Sequence, residues 1–200
     1  MLVTGELLVA DAMFEVIDPA SAHVAGVASD GTVADLDRGI AAARQAFDTS
    51  PWSRDVEFRH HCMMQLQQAL SDERARLRRV VVTEVGCCVS ATGSQIDDPI
   101  DEVGHWADYG LAFDYVEDTG LHETRRGPSR RLLHHDPVGV VGAITPWNAP
   151  FYLNVAETVP ALMAGNTVVL KPAQLTPWSG TELARIVAEC TDMPPGVFNV

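Results

Sequence analysis

The sequence predicts an α/β fold: a parallel, doubly wound sheet in the last third of the chain, with a helical block ahead of it. Three apolar runs of strand length, 138–144, 167–170 and 197–200, carry that prediction, because unbroken apolar runs suit strands covered on both faces. Between them lie stretches with apolar residues at spacings of three and four. The connections are short, so the order reads β-α-β-α-β. No internal repeat or low-complexity tract interrupts the pattern.

In chain order, short β-type runs at 7–9, 14–17 and 24–27 are separated by turn residues, with Asp18-Pro19 as a corner. Thr32 and Asp35 form a capping-box pattern. Val33, Leu36, Ile40, Ala43 and Phe47 then give the first helix one apolar face. Pro51 and Ser53 break that helix and start the next, whose stripe is Phe58, Cys62, Met63, Leu66 and Leu70. Ser71-Asp72 cap a third helix carrying Leu77, Val80, Val81 and Val85, which stops at Gly86. Ser94 with Asp97 caps a fourth through Ile100, Val103, Ala107 and Leu111, with Pro99 in its first turn. Residues 121–135 are polar and basic and suit an extended arm. Tyr152, Val155, Val159, Leu162 and Met163 mark a helix closed by Gly165-Asn166. Thr176-Pro177 open the last helix, with Leu183, Ile186, Val187 and Cys190 as its buried stripe. The units are therefore 1–120, 121–137 and 138–200. The third strand is cut short at residue 200, so the sheet is expected to be incomplete at its C-terminus.

Composition narrows the function. Hydrophobic residues make up 46% and charged residues 20%, which fits a globular chain with a core. Fourteen basic against 27 acidic side chains give a net charge of -13, which argues against a nucleic-acid surface. The basic cluster at 125–131 reads as a solvated loop. No apolar run approaches the roughly 20 residues of a membrane span. Glu6 and Asp11 interrupt the N-terminal apolar stretch, so a secretory signal is not expected. Four cysteines without CxxC spacing suit reduced thiols in a cytoplasmic protein. His60-His61 and His134-His135 are sequence neighbours whose side chains diverge, so no metal site is expected.

Ligands of such sheets bind at the carboxyl ends of the strands. Two segments fall there: 144–150, reading ITPWNAP, and 171–174, reading KPAQ. Pro146 and Pro150 stiffen the first, so Trp147 and Asn148 are held by backbone restraint. An Asn amide fixed in this way can donate to a developing oxyanion, and a lysine can reach nucleotide hydroxyls or phosphates. From these residues alone, a stiff turn of purely structural use explains the segment equally well.

The order TPWN, then GNTVVLKPA, then LTPWSG resembles the cofactor-binding core of the aldehyde dehydrogenase superfamily. Residues 16–20, Trp52-Ser53-Arg54 and Thr83-Glu84-Val85-Gly86 fit the same family. The resemblance is strongest from 137 to 200. It implies a Rossmann-like domain without the GxGxxG fingerprint, using NAD or NADP to oxidise a small-molecule aldehyde to a carboxylic acid. Asn148 matches the oxyanion-stabilising asparagine. Ile144, Thr145, Pro146 and Trp147 match positions lining the nicotinamide ribose and pyrophosphate, and Lys171 matches the lysine that bonds the adenosine ribose. At Gln174 many NAD-preferring relatives carry glutamate, so NADP should be less strongly excluded here. The arm at 121–137 implies a homo-oligomer. Asp108, Phe113 and Leu153 are candidates for the substrate pocket. The family's nucleophilic cysteine and base glutamate lie in motifs that this sequence does not contain. Cys62 and Cys190 read as core residues and Cys87-Cys88 as structural, so the 200 residues alone are expected to be inactive. The alternatives are a non-catalytic dinucleotide-binding or subunit-pairing fragment, or the remnant of a truncated gene.

Overall fold

The computed structural model describes residues 1–200. Two antiparallel pairs come first: β1 (Leu2–Val3) with β2 (Glu6–Leu7), and β3 (Met13–Ile17) with β4 (Val24–Ser29). Two residues of β1 are too few for a periodicity to show in the sequence. Leu2 and Val3 are nonetheless buried, and Leu2 exchanges both backbone hydrogen bonds with Val200 at 2.9 Å.

Helix α1 (Val33–Thr49) starts where the capping box places it. Thr32 Oγ1 accepts from Asp35 N at 3.2 Å, and the Asp35 carboxylate accepts from Thr32 N at 2.8 Å. Its buried face meets the predicted one only at Ala43. Gly39, Ala42, Ala43 and Ala46 are buried, whereas Val33, Leu36 and Ile40 are exposed. Small residues let the helix lie close on the sheet: the Ala43 carbonyl accepts from Thr167 Oγ1 at 3.0 Å. Close backbone approach has overridden side-chain size.

Helix α2 (Val56–Asp72) buries Cys62, Met63, Leu66 and Leu70 as its stripe requires. Its cap is Asp55, which accepts from Phe58 N at 2.8 Å, and not Ser53. Ser71 and Asp72 belong to the last turn of α2, and Glu73 alone separates it from α3 (Arg74–Val85). Gly86 ends α3 in the left-handed region at φ 73°, where glycine carries no Cβ penalty. Ser94 lies inside a π turn, Gly93–Asp97, and bonds back to Ala91 O, so it does not cap α4 (Asp98–Ala112).

The arm is a hairpin of β5 (Val116–Thr124) and β6 (Gly127–His134). It begins five residues before the predicted start at 121. Its first residues are exposed on both sides, so no burial pattern marks them as strand. β7 (Val140–Ile144), β8 (Thr167–Lys171) and β9 (Phe198–Asn199) form a parallel sheet in the order β7-β8-β9. They are joined by α5 (Pro150–Met163) and α6 (Trp178–Cys190). The 138–144 run is not fully buried as predicted: β7 is the edge strand of the sheet and pairs only with β8. Gly139 and Ala143 are its only buried residues, and Val138 and Ile144 are 85% and 80% exposed. Cys190 is exposed at the last position of α6, past the helix's packed stripe. No helix is long and apolar enough to cross a membrane.

A buried cation locks α2 to the end of α5. Arg59 is 3% exposed and donates through Nε to Met163 O at 2.9 Å and through Nη1 to Trp52 O at 2.7 Å. Trp52 in turn donates to Asn166 O at 2.9 Å. Arg59→Met strips Trp52 O of its donor and leaves Met163 O only the longer bond from the Tyr115 hydroxyl at 3.4 Å, and is expected to cost about 1–3 kcal/mol in urea denaturation. Arg54→Ala, at an exposed position, is expected to stay within about 0.5 kcal/mol of the parent.

Candidate functional site

Parallel register places Ile144 opposite Lys171, so the two segments that follow β7 and β8 leave the sheet side by side. Thr145 N donates to Lys171 O at 3.3 Å and extends the pairing by one residue. Pro146, Trp147 and Asn148 then make an exposed turn before Pro150 opens α5, with Pro in the first helical position where its missing N–H costs nothing. The Asn148 amide makes no hydrogen bond within the chain and is free to donate outward. Trp147 is 56% exposed and Ile144 stands beside it on the open edge.

Thr145 is different. Its side chain turns inward, is buried, and donates from Oγ1 to Asn154 Oδ1 at 2.6 Å. Of the four residues matched to the nicotinamide side, three present side chains outward and Thr145 offers only its backbone. The amide nitrogen of Asn154 is buried without a partner.

Beside Lys171 opens a cavity of about 380 Å³, which reaches Pro172, Ala173 and Gln174 on one wall. The opposite wall is the β4–α1 turn, including Ser29, Asp30, Thr32, Asp35 and Leu36. Sequence reading took Thr32 and Asp35 only as a helix cap and did not place them here. Nothing local signals that role, because packing alone brings the turn against β8. Asp35 is committed to its cap: the two bonds with Thr32, then the one with Arg38, hold its carboxyl down at about 2. Lys171 is the single lysine of the chain and the one basic residue in the cavity. Its Nζ donates to Pro172 O at 3.3 Å and has no carboxylate partner. The Lys171 ammonium, a neutral Gln174 and walls that mix apolar residues with Asp30, Thr32 and the N-terminal residue Met1 suit the sugar and base of a nucleotide, in the size range of small-ligand sites. The cavity does not contain 144–148, which stand on the surface alongside it.

The substrate-pocket candidates divide. Leu153 lies in the first turn of α5, near Asn148 in the chain. Phe113 packs at 5.0 Å from Tyr115 and 5.4 Å from His135. It lines a second hollow with Pro160 and Met163 at the far end of α5, about 20 Å along the helix. Asp108 is exposed and pairs with His60 at 3.1 Å. At the Asn148 end, Tyr152 Oη donates to Glu102 Oε1 at 3.3 Å, and the Glu102 charge raises the Tyr152 hydroxyl above its ordinary value. None of the four cysteines lines the cavity. Burial pushes the Cys62 thiol up to about 12, out of reach of a thiolate nucleophile.

The aldehyde dehydrogenase family model matches residues 9–200. The chain belongs to the aldehyde dehydrogenase family. A 3-succinoylsemialdehyde-pyridine dehydrogenase from Pseudomonas sp is 35% identical over 188 residues, covering 93% of this chain and 37% of the relative. Betaine aldehyde dehydrogenase from Staphylococcus aureus, solved as a double mutant in complex with NAD+, superposes with a TM-score of 0.90 at 26% identity, over 98% of this chain and 39% of that one. An aldehyde dehydrogenase from Bacillus cereus gives 0.91 at 28% identity, over 100% of this chain and 40% of that one. This aldehyde dehydrogenase chain thus spans about two fifths of the length of the proteins it matches.

In this family member the Thr145–Asn154 bond joins the first loop to α5. Thr145→Val leaves a buried amide with neither of its ends bonded and is expected to cost about 1–3 kcal/mol in urea denaturation. Thr145→Ser keeps the hydroxyl and is expected to recover most of that loss.

Proposed function

We propose that this chain carries the dinucleotide side and the oxyanion donor of an NAD(P)-dependent oxidation of an aldehyde to a carboxylic acid. The observation that supports the reading best is the side-by-side exit of 144–150 and 171–174 at the carboxyl ends of two parallel strands, with Lys171 in a cavity of nucleotide-fragment size. The cofactor, when bound, supplies the hydride acceptor. Lys171 donates to sugar hydroxyls from the sheet side, and Gln174 faces the same group without a negative charge. Ile144, Pro146 and Trp147 offer apolar surface next to it, and the Thr145 backbone, whose N–H is taken by Lys171 O, offers its carbonyl. Asn148 donates its free amide hydrogen to the aldehyde oxygen, and the bond strengthens as charge collects there.

A thiolate to attack the aldehyde and a carboxylate to activate water are not among these residues. We read the 200 residues alone as binding the dinucleotide without turning over aldehyde. The β5–β6 hairpin, with Leu121, Leu132 and Leu133 exposed, supports pairing with a second copy in a homo-oligomer.

The test is a calorimetric titration with NAD+ and NADP+. Lys171→Ala is expected to weaken both by about tenfold, which is about 1.4 kcal/mol for a lost charged hydrogen bond. Gln174→Glu is expected to weaken NADP+ by at least about tenfold more than NAD+, since a carboxylate repels the 2′-phosphate. Unchanged affinities in the lysine variant would contradict the placement of the cofactor.

A further inference from the structure

Helix α6 has no cap of its own. Pro177 precedes it, brings no side-chain hydrogen bond to the first turn, and leaves its backbone donors to be met from elsewhere. They are met from another helix. Glu84, in the last turn of α3, is 3% exposed and points its carboxylate into the first turn of α6. Oε2 accepts from Trp178 N at 2.8 Å, and Oε1 accepts from Ser179 N at 2.9 Å and from the Ser179 hydroxyl. A carboxylate at a helix N-terminus also meets the positive end of the helix dipole.

That first turn touches the cofactor segment directly. A Cβ built on Gly180 would stand 2.8 Å from Cβ and from Cγ of Pro172, the residue after Lys171, so the helix backbone rests on the proline ring. The same turn holds the cavity's other wall. Trp178 Nε1 donates to Val27 O at 3.1 Å, and its ring fills the space over Gly26, where a Cβ would lie 2.7 Å from Cζ2. One buried carboxylate therefore fixes the turn against which both the Lys171 segment and the β4 wall are seated.

We propose that Glu84, in its ionised form, is a positioning residue for the dinucleotide: it sets the affinity of the cavity through the first turn of α6 without touching the ligand. The inference rests on the dinucleotide reading of that cavity. A carboxyl that takes up a proton gives up acceptor sites, and three bonds cannot then be kept. Burial pushes Glu84 from an ordinary 4.5 up to about 7, against the pull of its bonds from Ser179 and Trp178. Loss of affinity is therefore centred near pH 7. Glu182, farther along α6, is the charged neighbour that adds to the rise, and it is itself engaged by Arg76 and Arg185. The β3–β4 turn meets α3 through Pro19, packed against Gly86, and its Asp18 is bonded within the turn to Ala20 and Ser21. Asp97, facing α3 from the π turn, is held by Arg74 and Arg78.

Stability moves the other way across the same window. The folded value lies above the unfolded one, so the folded chain takes up the proton first. Glu84's contribution to stability therefore grows as pH falls from about 7 to about 4.5 and is lost as pH rises through 7. A merely structural role would make affinity follow stability; a positioning role sets the two against each other.

The experiment is the Kd for NAD+ from pH 6 to 8.5 in the parent protein, Glu84→Gln and Ser179→Ala, with urea stability measured alongside. The parent is expected to bind roughly tenfold more weakly at pH 6 than at pH 8, as the ionised share falls to about a tenth. Glu84→Gln is expected to be weak and flat across the range. Ser179→Ala removes one bond to the ionised form, so its loss of affinity is expected at higher pH than the parent's. This variant decides the matter if the glutamine variant does not fold. A flat parent profile, or a Ser179→Ala profile superimposable on the parent's, overturns the role of Glu84 while leaving the dinucleotide site standing. No binding by the parent at any pH sinks the underlying reading as well.

Discussion

The parallel pairing of β8 with strands on both sides is the constraint from which the rest of the structure follows. A parallel strand cannot be reached by a tight turn, so β7, β8 and β9 have to be linked by α5 and α6. Once the register is Ile144 against Lys171, the loops that leave β7 and β8 emerge at one edge, one beside the other. Position in the sheet also sorts the side chains. Thr167, Val168 and Leu170 of the central strand are buried, whereas the edge strand β7 buries only Ala143.

Polar groups buried between layers tie this sheet to the helical block. Arg59 spans from α2 to the end of α5, Glu84 from α3 to α6, and the Thr167 hydroxyl from β8 to the Ala43 carbonyl of α1. Each is a group that would be costly to bury alone, and each meets partners in only one arrangement of the helices. Small residues do the complementary work. Gly39 and Ala43 bring α1 down on the sheet, and Gly180 brings α6 onto Pro172, so the backbone itself forms the support for the loops.

Where a feature is local, the sequence shows it. The Thr32–Asp35 cap, the α2 stripe, the stop at Gly86 and the β-α-β-α-β order are all set by spacing within a few residues. The strand ends likewise put the segments 144–150 and 171–174 at one edge of the sheet. Features that depend on the far side of a contact were not legible. Leu36 and Ile40 look like a core face, yet the helix turns its alanines inward because the sheet approaches closely. Residues 138–144 look fully buried, yet the strand has a neighbour on one side only. Thr145 reads as a loop residue, and only the position of Asn154 shows that it faces in. The burial of Arg59 and Glu84 was not legible either, since Met163 and the first turn of α6 lie about a hundred residues away in the chain. The β4–α1 wall of the cavity has the same origin.

The proposal that a dinucleotide meets this chain rests on one surface, the carboxyl edge of β7 and β8. The chain contains a single lysine, Lys171, at the end of β8 on that edge. The most direct measurement is the rate at which an amine-specific reagent modifies Lys171, followed by peptide mass, with and without saturating NAD+ or NADP+. The account predicts that the dinucleotide slows this modification severalfold or more, and that inorganic phosphate at the same concentration does not. Modification at an unchanged rate under saturating NAD+ and NADP+ would contradict it.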